Sequence, residues 1–76
     1  MNMSRQDRID WRCEGGRWVG RRHGQEVAEI IETAPGQVSA WVRPLESQGL
    51  RTADPAHPWL PSLQAADRAC LVALAA

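Results

Sequence analysis

The sequence predicts an α+β fold: an antiparallel β-sheet of three to four strands, in ββββα order, packed against one C-terminal α-helix. Three observations carry this reading. A Gly-Gly pair sits between two short runs that alternate apolar and polar residues. A Pro-Gly pair separates two runs rich in strand-forming residues. After Ser62, apolar positions recur with the period of a helix. At 76 residues the chain makes one domain close to the lower size limit for folding on a single core. Residues 1–7 are polar and are expected to form a flexible N-terminus, with the domain spanning 8–76.

The first strand is read from Ile9-Asp10-Trp11-Arg12-Cys13-Glu14, whose period of two marks a half-buried strand. Gly15-Gly16 supplies two residues able to take positive φ, the requirement of a tight hairpin turn. Arg17 to Arg22 returns as the second strand. The turn sets a register: Glu14 opposite Arg17, Cys13 opposite Trp18, Arg12 opposite Val19, Trp11 opposite Gly20, Asp10 opposite Arg21. Opposite charges then share one face, and Trp11 meets the smallest residue on the other.

His23-Gly24 is a second turn, leading into Gln25 to Thr33. This segment also has a helical pattern, with Val27, Ile30, Ile31 and Ala34 on one side and Glu26, Glu29 and Glu32 on the other. The strand is preferred because Pro35-Gly36 joins it to Val38-Ser39-Ala40-Trp41-Val42-Arg43, an evident strand ended by Pro44. Residues 44–61 form a long connection in which Gly49 to Thr52 is a candidate edge strand and Pro55, Pro58 and Pro61 favour an extended course. Trp59 and Leu60 are expected to pin this loop to the start of the helix. Ser62 is the N-cap, and Leu63, Ala66, Cys70, Ala73 and Leu74 form the buried helical face. The four Trp residues are expected to supply much of the core.

Charge is balanced overall but not along the chain. Residues 1–24 hold six Arg against Asp7, Asp10 and Glu14, while residues 25–76 hold three Arg against six acids. Pairing between neighbouring strands accounts for this more simply than a bipolar steering field. All nine basic residues are Arg, and with abundant Ala, Gly and Pro this points to a GC-rich bacterial or phage coding bias. The opening residues hold no apolar signal segment, and the apolar run Ala69 to Ala76 is too short to span a bilayer, so a cytoplasmic location without membrane contact is expected.

No enzyme is predicted. Cys13, His23, His57 and Cys70 match no zinc spacing, and the two thiols fall on core-facing positions where they fill space. Neither His has a nucleophile or orienting group beside it in sequence. No metal or cofactor is expected. The segment Arg17 to His23 mixes Arg with Trp18 and offers an alternative reading as a single-stranded nucleic-acid surface. Zero net charge and the acids opposite Arg17 and Arg21 weigh against it.

Carrying the hairpin register through both later turns places Val19, Ala28, Ile30 and Trp41 together on the face opposite Trp11 and Trp18. One helix covers only one face of a sheet. Either the long loop with Trp59 and Leu60 folds over this patch or the patch is exposed to a partner, in which case the expected partner-binding set is Trp41, Ile30 and Val19, ringed by Arg12, Arg17, Arg21 and Arg43. The same register puts Glu29 on the core face, which signals a bulge near it. A homodimer through the apolar patch is a further alternative.

The layout of a hairpin about Gly15-Gly16, further strands, a loop and a Ser62-capped terminal helix resembles short accessory proteins of phages and other mobile elements, among them anti-CRISPR proteins. The resemblance spans the whole chain and rests on size, layout and coding bias rather than on a motif. It implies a small inhibitor that occupies a surface on a larger host defence complex, such as a nucleoprotein, without chemistry of its own.

Overall fold

The computed structural model describes residues 8–43 and 49–75. The expected flexible segment 1–7 and the strand-ending Pro44 lie outside the described residues. The elements are β1 (Asp10–Glu14), β2 (Arg17–Arg22), β3 (Gln25–Ala34), β4 (Gln37–Val42), β5 (Arg51–Thr52) and α1 (Leu63–Ala75). The strands form one antiparallel sheet in the order β1-β2-β3-β4-β5. The count is five rather than three to four, because the short Arg51–Thr52 segment pairs with Trp41 and Val42. Gln25–Ala34 is a strand, not a helix. Its flanking turns decide this: His23-Gly24 and Pro35-Gly36 each reverse the chain, with φ of 53° and 77° at the first pair and 77° at Gly36.

The β1–β2 register is the one the Gly-Gly turn dictates, from Glu14 opposite Arg17 to Asp10 opposite Arg21. Both turn glycines have positive φ, 61° and 82°, as a two-residue hairpin demands. Trp11 lies over Gly20, where an added Cβ would come within 2.9 Å of the Trp11 ring.

Beyond the hairpin the register departs from a simple continuation. The pairing shifts between Gly20 and Arg21, leaving Val27 as an extra residue in β3, and again between Glu32 and Ala34, leaving Thr33 extra. Each bulge moves the pairing by one residue, and one residue is enough to turn a side chain to the other face. Ala28 and Ile30 therefore pair with Gly20 and Trp18, on the same face as Trp11. Glu29 takes the opposite face, between Val19 and Trp41.

The helix packs on the face that carries Ala28 and Ile30, mainly over β4 and the adjoining part of β3. Ser62 Oγ accepts the Ala65 N–H at 3.1 Å and caps its start. Ala66 and Cys70 are fully buried against Val38, Ala40 and Val42. Their small side chains let the helix axis approach the sheet, while Val72 points to solvent. The Trp11 indole N–H donates to Asp67 Oδ1 at 2.7 Å, tying β1 to the helix across the core.

The structure corrects the sequence expectation at three further points. The core is aliphatic, built on Ile9, Val27, Ile30, Val38 and Val42; Trp11, Trp18 and Trp41 are only half-buried. Trp59 is 60% exposed, and of the Trp59-Leu60 pair it is Leu60 that anchors the loop, through reciprocal main-chain bonds with Val38 at 2.9 and 2.8 Å. Cys13 lies on the helix side of the sheet but is exposed rather than buried, because β1 is an edge strand and the helix sits over β3 and β4; Cys70 is buried.

The returning loop also covers a sheet edge. Val38 bonds with Leu60, and the Ala53 N–H donates to Ala40 O at 2.9 Å, so the outer side of β4 is hydrogen-bonded by the chain itself.

Candidate protein-binding face

Alternation along the strands gives the sheet a second face on which no described element packs. It carries Arg17, Val19 and Arg21 from β2, Glu29 and Ile31 from β3, and Ser39 and Trp41 from β4, with Arg12 and Glu14 contributed by β1. Trp41 and Ile31 are half-buried, and neither packs against the core cluster beneath the helix.

Trp41 lies in β4 between Glu29 on one side and Thr52 on the other. Its indole N–H donates to Ser39 Oγ at 3.3 Å, and Ser39 in turn donates to Ile31 O at 3.5 Å. Ser39 is two residues before Trp41 and so shares its face. The bond satisfies the indole N–H and steers the ring along β4. Pre-oriented aromatic rings of this kind lose little entropy on binding.

Beside Trp41 the face is laced with ion pairs. Arg17 binds Glu29 at 2.6 Å; Arg21 binds Glu14 at 2.8 and 3.2 Å and reaches Glu26 at 3.5 Å. The hydrogen bond from Arg21 is the main cause holding the Glu14 carboxyl below its ordinary pKa, with the nearby charges of Arg21, Arg12 and Arg17 adding to it, and the same bond raises Arg21. Val19, opposite Arg12 and Glu29, is only 2% exposed despite lying on this face. Its cross-strand neighbours Arg12 and Glu29 are residue types whose methylene stems shield apolar side chains.

The expected binding set is thus partly regrouped. Trp41, Arg12, Arg17 and Arg21 share the helix-free face, and Arg43 is exposed one residue beyond β4. Ile30 is not on it: the Val27 bulge turns Ile30 into the core, where it is 2% exposed. Val19 is on the face but shielded. Glu29, Ile31 and Ser39 belong there instead, and the conflict at Glu29 was the signal that the simple register fails. Arg17 and Arg21 are engaged in ion pairs, whereas Arg12 and Arg43 form none among the described residues.

Elsewhere the geometry offers little chemistry. An apolar recess of about 100 Å³ on the helix side is lined by Trp11, Trp18, Ile30 and Leu63. That is well below the several hundred Å³ typical of a cofactor site. His57 Nδ1 lies 2.9 Å from Asp54 Oδ2, and Asp54 also accepts the Ala56 N–H, so this pair closes a surface turn. Among the described residues no group of His, Cys, Asp and Glu is placed to hold a metal ion, and no helix is long and apolar enough to cross a membrane.

No protein-family model matches the chain, and neither a curated protein nor a solved structure matches it.

Proposed function

We propose that this chain is a non-enzymatic protein-binding module that acts by occupying a partner surface with the helix-free face of its sheet. The observation that carries the reading is a sheet face on which no described element packs, with an oriented Trp41 on it and with Arg12 and Arg43 outside its ion pairs. Trp and Arg are among the residue types that most often dominate binding energy at protein interfaces. The resemblance in size and layout to phage and mobile-element proteins gives the proposal its specific form: an inhibitor of a bacterial defence complex, working in the cytoplasm.

A protein partner is favoured over nucleic acid because Arg17 and Arg21 already face carboxylates on this surface. A strand-and-turn nucleic-acid site at Arg17–His23 would have to break those pairs, and phosphate binding draws on free cations. The test is affinity capture from a candidate host lysate with wild-type and Trp41→Ala baits. Proteins retained by the first and lost by the second support the face; equal retention overturns it. Oligonucleotide binding that falls steeply with salt would support the alternative instead.

A further inference from the structure

We infer that β1 is a homodimerisation edge, pairing antiparallel with β1 of a second copy in the register centred on Trp11. The two edges of the sheet are treated differently. The β4 side is covered by β5 and by the Leu60 and Ala53 main-chain bonds. The β1 side carries no strand among the described residues. Glu14 and Arg17 close a two-residue turn, so Glu14, Arg12 and Asp10 exchange hydrogen bonds with β2. Ile9, Trp11 and Cys13 then direct their N–H and C=O groups outward, toward whatever lies beside the sheet.

The sequence of this edge is complementary to itself. Reading outward from Trp11 in an antiparallel pair, Asp10 meets Arg12 of the second copy, Ile9 meets Cys13, and Arg8 meets Glu14. Every charged pair is opposite in sign and lies on the helix-free face, and every other pair is apolar and lies on the helix face. Asp10, Arg12 and Arg8 form no ion pair within the described chain, so the second copy would supply their partners.

Neighbouring registers fail on charge. Centring on Arg12 opposes Arg12 to itself and Asp10 to Glu14; centring on Asp10 opposes Asp10 to itself and Arg8 to Arg12. Like charges directly opposite are destabilising. Centring on Cys13 keeps Arg12 against Glu14 but runs Trp11 and Asp10 into the Gly15-Gly16 turn. The arrangement is isologous and closes on itself, so it yields a dimer rather than a fibre. Its sheet runs continuously through both copies and joins their helix-free faces.

The experiment is sedimentation of the full chain over a range of concentrations. The wild type should show a monomer–dimer equilibrium. Asp10→Arg and Arg12→Asp should each be monomeric alone, because each places like charges opposite one another. Mixed together, the two variants should form a heterodimer, since both cross-strand pairs between positions 10 and 12 then join opposite charges again. The double swap D10R/R12D should restore the homodimer. If a single variant fails to fold by circular dichroism, Cys13→Pro carries the test, because it removes only an outward N–H; it should be monomeric. A wild type that stays monomeric throughout overturns the proposal. So does a dimer indifferent to the single charge changes or to Cys13→Pro.

Discussion

Gly20→Ala tests the packing that joins the hairpin to the core. A Cβ on residue 20 would lie 2.5 Å from Ile9 Cγ2, 2.9 Å from Trp11 Cζ3 and 3.0 Å from Trp11 Cη2. None of these atoms yields easily. The Ile9 methyl is β-branched and Ile9 is buried, and the Trp11 ring is held by the 2.7 Å bond to Asp67. Overpacking of this kind costs about 1–3 kcal/mol. Replacing Gly by Ala returns roughly 0.4–1 kcal/mol by restricting the unfolded chain. With central values of about 2 kcal/mol lost and about 0.7 kcal/mol returned, the net loss is about 1.3 kcal/mol, and each kcal/mol lowers Tm by about 4–8 °C in a domain of this size. Urea and thermal unfolding followed by Trp fluorescence measure it. In a Trp11→Phe background the added methyl should cost less, because the benzo-ring atoms it strikes are gone, giving a coupling of about 0.5 kcal/mol or more. A Gly20→Ala chain as stable as the wild type would refute the close approach of Trp11 to β2.

Asp67→Ala should cost about 1–3 kcal/mol by leaving the Trp11 indole N–H without its charged acceptor, and Asp67→Asn should recover part of the loss; thermal melts of both variants check the order. Cys13 should react with a thiol reagent in the native protein while Cys70 stays protected until the chain unfolds, read by mass spectrometry of the labelled peptides. Burial, with a smaller contribution from the Asp67 charge, pushes the Cys70 thiol up to about 12. The folded state therefore holds this proton when the unfolded chain has released it. The stabilisation is complete below the ordinary thiol pKa and is lost as pH rises toward 12, and Cys70→Ala should flatten that alkaline decline in denaturation midpoints.

The parts of the fold encoded locally were legible in the residues. The Gly15-Gly16 turn and its alternating flanks specify the β1–β2 register, including the seat for Trp11 over Gly20. Ser62 marks the helix start, and the small residues Ala66 and Cys70 mark its buried face. What escaped was set by long-range pairing. A bulge has no fixed sequence mark, and those at Val27 and Thr33 turn the middle of β3 over, sending Ile30 inward and Glu29 outward. The charge of Glu29 on a core position was the one local hint. The aliphatic core was missed for a similar reason: Trp59 follows a proline in a loop, and only the pairing of Leu60 with Val38 decides which of the two neighbours points inward. The candidate face keeps its centre, since two shifts of one residue leave Trp41 and Val19 on the same side.

The helix-free face, and Trp41 within it, is proposed to hold the partner. The most direct measurement is comparative capture from the native host with three baits: wild type, Trp41→Ala, and Val72→Ala on the exposed side of the helix. The expected result is that the partner binds the wild type and Val72→Ala equally and is lost with Trp41→Ala, while all three chains give the same circular dichroism spectrum. Retention by Trp41→Ala together with loss by Val72→Ala would contradict it and place the interface on the helix.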